Sequence, residues 1–598
     1  MYREDNRPPL APRPLVRALF CVAALLSSSL TSAAKLNVQI DGVEGELKTV
    51  VNAAADLAQY NDRDVSAAQA RRLYDHVDKD IAQALEPYGY YHATATGELK
   101  ETPQGFTAIV HVVPGEPTTV ETLKIDVASP AREEKGVAKA LREFTPGKGE
   151  RFEHAAYEKS KANVQAALIA SGYLDAEQTR KQVTVTRAAN RAVVDLAWDT
   201  GKRYRYGTTT FTGDFFVEGL IQRYVPWHDG DFYSQGQLLL LQQRLIDADY
   251  YGIVDVHPDL DNKQGDVVPI VVNLAPAKRN VYTAGIFVDT DYGIGVDGGV
   301  TRRWVNSYGH KAKVTAEIAQ RLKTIAGVYT IPLPGPDNRA LNFGINYRDE
   351  DTDTTKSKTT SLVVNESRIW MGWTRTLGLR LLTGDFTITD PNGNEKLDEQ
   401  GSSTLLFPEA VLERKKVDDP LFVHDGYSLT LLARGAPGSI TSDTWFVQAR
   451  ADAKWIHAFG DNQRLILRGT LGAEEVGNFN DLPPELRFFA GGDRSIRGYV
   501  YQGIGVVDKN GLVIGGQDLV VASTEYEYYF KPNWGIATFV DTGDAFTGFN
   551  TFKVRIGTGL GLRWRSPVGM VRADIGVPIN DPYGKTGVEL HLVIGPDL

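Results

Sequence analysis

The sequence predicts a membrane β-barrel of about sixteen antiparallel strands, preceded by three small α+β domains. Three observations carry that expectation. Past Arg279 helical spacing disappears, and extended segments alternate with Gly, Asp and Asn turns to the last residue. Ahead of that point one helix–turn–strand pattern recurs three times, at a spacing of about 80 residues. After the N-terminus no run of about 18 apolar residues occurs, so nothing reads as a transmembrane helix. Composition agrees: 58 Gly and 26 Tyr against 3 Met suit strands with aromatic girdles. With 42% hydrophobic and 23% charged residues the chain is not disordered.

Residues 1–34 have the pattern of a secretory leader. Arg3, Arg7, Arg13 and Arg17 precede an apolar stretch over residues 18–25, and Ser32, Ala33 and Ala34 offer small residues for cleavage. The single cysteine, Cys21, lies inside that stretch. Disulfides, thiolate metal sites and thiol catalysis are therefore excluded from the mature chain. The leader carries a formal +2 (four Arg against Glu4 and Asp5), so the mature chain is more acidic than the −10 of the whole sequence. An acidic protein with dispersed basic residues gives no reason to expect nucleic acid.

Residues 35–115 form the first repeat. Positions 67–85 have helical spacing, with Ala70, Leu73, Tyr74, Val77, Ile81 and Leu85 along one side. The helix closes at Tyr88, Gly89, Tyr90 and Tyr91, and a strand comes next at 107–113. Residues 116–202 repeat this with helix 157–170, turn Ser171-Gly172-Tyr173-Leu174 and strand 192–198. Residues 203–278 do so with helix 237–248, turn Asp249-Tyr250-Tyr251-Gly252 and strand 267–274. In each, Gly or Tyr ends the helix and the chain doubles back. Such units are either plain α+β domains or binding modules that add partner strands to exposed sheet edges.

Residues 279–598 read as the barrel. Over 552–565, Phe552, Val554, Ile556, Leu560, Leu562 and Trp564 share one face, while Lys553, Arg555, Gly557, Gly559, Gly561, Arg563 and Arg565 share the other. An apolar face opposite an arginine-rich one fits lipid outside and a wet lumen inside. Val571, Ala573, Ile575 and Val577 against Arg572, Asp574 and Gly576 repeat the pattern, as do Leu465, Leu467 and Leu471 against Arg464 and Arg468. A soluble β-sandwich would expose apolar faces over many consecutive strands and aggregate.

One segment breaks the alternation. Residues 487–499 combine Arg487, Asp493, Arg494 and Arg497 with Gly491, Gly492, Gly498 and the aromatics Phe488, Phe489 and Tyr499. Such a loop carries charge into a confined space, where an arginine needs a partner. Phe539, Asp541 and Gly543 share the lumen-facing register, with Ile536, Val540 and Thr542 toward lipid. The expected contact is a bidentate Arg497–Asp541 pair. At the end of the chain Val588, Leu590, Leu592 and Ile594 alternate with Glu589, His591 and Val593. Gly595 and Pro596 then weaken strand order. The seam between this strand and the first, around 282–289, should be short, and each unmade backbone bond lowers the cost of opening it.

These residues carry a resemblance. Ile496, Arg497, Gly498 and Tyr499 resemble the inward-loop motif of the BamA/TamA/two-partner-transporter superfamily, and Phe539, Asp541 and Gly543 resemble its loop-receiving wall motif. The longer string over 482–499 and the ending Ile594, Gly595, Pro596, Asp597, Leu598 resemble the TamA branch, as do three N-terminal repeats, which correspond to its POTRA domains. The resemblance implies a location in the outer membrane with the repeats in the periplasm. It further implies assembly or secretion of autotransporter-type and other barrel clients through a lateral gate, with a TamB-like inner-membrane partner. On that footing Gly491, Gly492, Asp493, Arg494, Ile496, Arg497, Gly498 and Tyr499 hold the loop. Phe539, Asp541 and Gly543 receive it, and Leu590, Leu592, Ile594, Gly595 and Pro596 form the seam. The alternative within the superfamily is a two-partner-type secretion pore, which should have two repeats and a plug helix.

Other patterns are weaker. Residues 390–399 are oxygen-rich but lack the glycine expected at the sixth position of a calcium loop. Gly557, Gly559 and Gly561 imitate a nucleotide fingerprint inside a strand with no helix after it, so lumen packing explains them better. No Ser-His-Asp set stands out among ten histidines, so no enzyme, cofactor or metal is expected. Trp370, Trp373 and Trp455 suit an interfacial girdle.

Overall fold

The computed structural model describes residues 34–334, 338–389, 399–420, 422–438, 441–567, 569–580 and 587–595. Residues 1–33 of the expected leader, the oxygen-rich stretch 390–398 and Pro596 lie outside the described residues. Two compact units divide between Arg203 and Tyr204.

The first unit contains two α+β domains. In the first domain the strand Ala34–Asp41 lies parallel to Gly105–Val113, which pairs antiparallel with Thr94–Thr102. Helix Ala67–Leu85 covers this sheet with Ala70, Leu73, Val77, Ile81 and Leu85 buried. Tyr74, expected on the same face, is only partly buried at the rim of that core. Ser66 caps the helix by accepting from the Gln69 N–H at 3.3 Å. Fully burying one such Leu or Ile contributes about 1.5–3 kcal/mol, so the apolar stripe is what holds the helix to the sheet. The second domain repeats the arrangement: Thr119–Val127 lies parallel to Arg191–Asp199, which pairs antiparallel with Glu177–Thr186. Its helix His154–Ala170 is tied to the sheet when Trp198 Nε1 donates to Gln165 Oε1 at 2.9 Å.

The second unit opens with the third domain. Arg205–Thr212 lies parallel to Val267–Pro276, itself antiparallel to Tyr251–Pro258, with helix Gln235–Asp247 alongside. The repeated turns share one backbone device, a left-handed residue just past the helix: Gly89 at φ 85°, Gly172 at φ 98° and Asp249 at φ 56°. In the third turn the position belongs to Asp249 and not to Gly252, because Asp is among the few residues that tolerate it. Burial pushes the Tyr206 and Tyr233 phenols up to about 12. Tyr206 stays neutral and donates to the Ser234 carbonyl at 2.7 Å.

Sixteen antiparallel strands complete the chain, from Asn280–Asp289 to Glu589–Gly595, each paired with its sequence neighbour. Among the described residues no helix is long and apolar enough to cross a membrane, and the strands do so instead. Alternation obeys the expected sides: Ile536, Val540, Leu560 and Leu562 are exposed outward, while Ala537, Phe539, Asp541 and Arg563 are buried inward. Phe552 precedes the fourteenth strand, which starts at Arg555. The third domain is joined to the turn between the second and third strands. Tyr250 donates to the Gly309 carbonyl at 2.6 Å and Lys311 Nζ to the Ala248 carbonyl at 2.6 Å, and Arg303 meets Asp249 at 2.8 Å. That rim therefore faces the domain. By strand alternation the first hairpin turn and the long connection between the eleventh and twelfth strands lie at the opposite rim.

Candidate functional site

The connection 477–517, between the eleventh strand Gln463–Val476 and the twelfth Asp518–Lys531, folds into the barrel. Its base is pinned by backbone pairs between Phe488 and Gly516 (3.0 and 2.7 Å) and between Ala490 and Ile504 (2.9 Å each way). Arg487 donates to the carbonyls of Leu482 at 2.7 Å and Ile514 at 3.0 Å. Ile496, fully buried, joins Phe488, Ala490, Tyr499 and Ile504 in a small core against Leu519 and Val521 of the wall. Gly491 and Gly492, at φ 101° and 95°, turn the chain so that the Gly492 N–H donates to the Tyr499 carbonyl at 3.0 Å.

Arg497 sits at the tip with its side chain 5% exposed, against a fully buried Asp541. The pair is bidentate: Nε donates to Asp541 Oδ2 at 2.8 Å and Nη2 to Oδ1 at 3.0 Å. The Arg497 backbone N–H adds a third bond to Oδ2 at 3.0 Å. Phe539 lies beneath, its ring centroid 3.5 Å from the guanidinium carbon. Sequence alternation does not single out the remaining partners. Nη1 also donates to Glu525 Oε2 at 2.7 Å and Asp574 Oδ2 at 2.9 Å. Arg563 bridges the same two carboxylates, at 2.6 Å to Glu525 and 2.5 Å to Asp574, and reaches Glu527 at 2.9 Å. Glu527 is shared with Arg464 at 2.5 Å. Arg468 donates to the loop carbonyls of Asp493 at 3.2 Å and Ser495 at 3.1 Å. Four guanidiniums thus face four carboxylates, and the charge balances inside a low-dielectric wall, where an unpaired ion would be costly.

The wall is shaped to take the loop. Gly557, Gly559 and Gly561 of the fourteenth strand line its inner face opposite Asp541, Phe539 and Ala537. A Cβ at Gly557 would collide with the Arg497 carbonyl, and one at Gly576 would stand 2.6 Å from the Gly498 nitrogen. Gly498, at φ 92°, has the fifteenth strand against it: a Cβ there would meet the Val577 carbonyl carbon at 2.7 Å. Gly557 and Gly576 are therefore where the loop backbone packs on the wall, while Gly559 and Gly561 leave room for Phe539 and for Asp574 with Arg563. Gly543 packs elsewhere, where a Cβ would stand 2.8 Å from the Val521 Cα of the twelfth strand. Tyr499 donates to Asn580 Oδ1 at 3.2 Å, and the Gly498 N–H donates to Nε2 of His591 in the last strand at 3.0 Å. Arg494 is exposed and stands outside the buried charge network.

Beside this clamp the barrel is not zipped. The last strand has 7 residues against 10 in the first. Among the described residues no backbone ladder joins them. A bond from the Leu592 N–H to Thr290 Oγ1 at 3.4 Å crosses the seam. Leu590 and Ile594 point outward, Leu592 is half-buried, and His591 points in. Gly595 pairs with Met570 of the fifteenth strand, away from the seam.

A sixteen-stranded barrel with small α+β domains ahead of it and a clamped inward loop defines an outer-membrane protein whose N-terminal domains lie in the periplasm. Residues 307–597 match the Omp85 superfamily domain, and residues 37–114 match the POTRA domain TamA domain 1. The barrel thus carries the Omp85 superfamily domain and the first domain is of the TamA POTRA type, which supports a place in the superfamily of BamA, TamA and the two-partner transporters. The chain is 26% identical over 424 residues to the outer membrane protein assembly factor BamA of Nitratidesulfovibrio vulgaris, covering 67% of this chain and 52% of that relative. The chain thus spans about half the length of the curated relative it matches. The crystal structure of BamA from Haemophilus ducreyi lacking POTRA domains 1–3 has the same fold, with a TM-score of 0.64 at 18% identity over 79% of this chain and 98% of that one. CdiB from Escherichia coli aligns over 88% of this chain and 96% of its own, at 12% identity and a TM-score of 0.46.

Proposed function

We propose that this protein assembles or helps secrete other outer-membrane proteins, autotransporter-type barrels among them, by opening the seam between its first and last strands. The carrying observation is the seam itself. Open strand edges in a bilayer leave backbone donors and acceptors unsatisfied, so a barrel ordinarily zips every edge. Here the edges meet with no ladder among the described residues, and a client strand would satisfy the groups they leave free. Pairing and burial of the client supply the free energy, so the reading needs no ATP and no catalytic step. The Arg497 clamp ties the loop to the twelfth through fifteenth strands, and His591 extends that tie to the last strand, so loop and seam are mechanically connected. The N-terminal domains would receive unfolded clients at their sheet edges, and a TamB-like inner-membrane-anchored protein is the partner expected at the first of them.

The test is quantitative proteomics of outer membrane and culture medium after deleting the gene. Selective loss of barrel proteins from the membrane is expected. Loss of one large secreted protein with the membrane set unchanged would overturn the assembly reading in favour of a dedicated export pore.

A further inference from the structure

The inward loop has a second anchorage that the Arg497 clamp does not use. Asp493 brings its carboxylate to those of Asp289 and Asp291 in the first hairpin, and one oxygen from each lies within 4.8 Å of the others. Asp291 and Asp493 are each 7% exposed. Neither carboxylate oxygen of Asp493 has a hydrogen-bond partner, although both are buried. Gly492 holds the loop backbone against the hairpin, where a Cβ would stand 3.0 Å from Asp291 Oδ2.

The contrast with the deeper network is informative. Glu525, Glu527, Asp541 and Asp574 each pair with at least one arginine. Among the described residues no ion pair joins Asp289, Asp291 or Asp493 to a cationic side chain. Arg494 and Arg487 line the same cavity but form no ion pair with the trio, and three converging carboxylates, two of them buried, are unstable without positive charge in direct contact. One shared proton neutralises only one of the three. A hard divalent cation neutralises two and uses the oxygens that hydrogen bonds leave free. The trio lines a cavity of about 320 Å³ together with Tyr292 and Tyr501, which leaves room for water to complete a coordination shell.

We propose that Asp289, Asp291 and Asp493 bind a divalent, oxygen-preferring cation of the calcium class, tying the inward loop to the first barrel hairpin. Arg497 and His591 hold the other side of the loop to the last strands. The cation would therefore complete a bridge across the seam, made of loop and not of ladder. The binding claim stands or falls independently of what the seam transports.

Full-length protein in detergent, stripped with EDTA, is titrated with Ca²⁺ by calorimetry and with Tb³⁺ by luminescence, since Tyr292 and Tyr501 sit close enough to sensitise Tb³⁺ emission. Saturable uptake of about one equivalent is expected. Asp493→Asn and Asp289→Asn should weaken it about tenfold or more. No uptake up to millimolar Ca²⁺ overturns the proposal, as does unchanged uptake in Asp493→Asn. A trio that merely shares a proton also fails it, with no cation binding but pH-dependent melting. Should the variants not fold, the native protein decides: EDTA must speed proteolysis within 487–499 and Ca²⁺ must reverse it, and no change refutes the site.

Discussion

Replacing Arg497 by alanine removes the one side chain that touches Asp541, Glu525 and Asp574 together, at 2.8, 2.7 and 2.9 Å. Deleting one partner of a buried ion pair costs about 3–5 kcal/mol. Partial compensation remains here. Asp541 keeps the Ser523 hydroxyl at 2.5 Å, and Glu525 and Asp574 keep Arg563. The expected cost is therefore near the lower end, about 3 kcal/mol, and it falls on the loop, because the strand ladders around it are complete. That corresponds to about a hundredfold in the opening equilibrium of the loop. Limited proteolysis of the folded protein in detergent should show cleavage within 487–499 rising by about that factor, with the barrel still resistant to unfolding on gels. A loop as protected as in the native protein would refute the reasoning. Arg497→Lys should fall between, because a point charge replaces a fork that serves three acceptors. Exchanging Arg497 and Asp541 should not rescue, since a carboxylate at 497 would then face Glu525 and Asp574.

Three more outcomes rest on the same geometry. Gly576→Ala places a Cβ 2.6 Å from the Gly498 nitrogen and should expose the loop to protease while the fifteenth strand still pairs. His591→Ala removes the acceptor of the buried Gly498 N–H, costing about 1–3 kcal/mol. It should raise hydrogen exchange at Gly498 without disturbing Asp541. Tyr250→Phe deletes a buried 2.6 Å bond to the Gly309 carbonyl and should loosen the third domain from the barrel rim. Spin-label distances between domain and barrel would then broaden while loop protection stays native.

Sequence reasoning is strongest where a period governs. Helix Ala67–Leu85 and the inner faces around Asp541 and Arg563 repeat a simple alternation. Arg497 and Asp541 are legible because a lone charge in a barrel calls for a partner and the register supplies one. Glu525, Glu527 and Asp574 are not, since an inward carboxylate is equally at home in a wet lumen. Only strand pairing sets Ser523 opposite Asp541 and Glu525 opposite Phe539. The signal available is Glu525 and Glu527 in one register with Arg563 a strand pair away. The glycine row 557, 559 and 561 reads as lumen packing, but the backbone that packs on Gly557 comes from a loop about 60 residues earlier, beyond any local pattern. Resemblance groups Asp493 with the loop-holding residues, yet its carboxylate meets Asp289 and Asp291, a pairing across about 200 residues with no periodic trace.

The most direct test of a seam that opens is to lock it. Thr290→Cys, just past the end of the first strand, and Leu592→Cys in the last strand face each other across the seam, where the Leu592 N–H already lies 3.4 Å from Thr290 Oγ1. The chain's single native thiol, Cys21, lies in the expected leader, so in the mature chain the introduced pair can be bridged by oxidation or a short bis-maleimide. Client barrels should then fail to assemble while the locked protein persists in the outer membrane, and reducing the disulfide should restore assembly. A locked protein that assembles clients as fast as the reduced one would contradict the account.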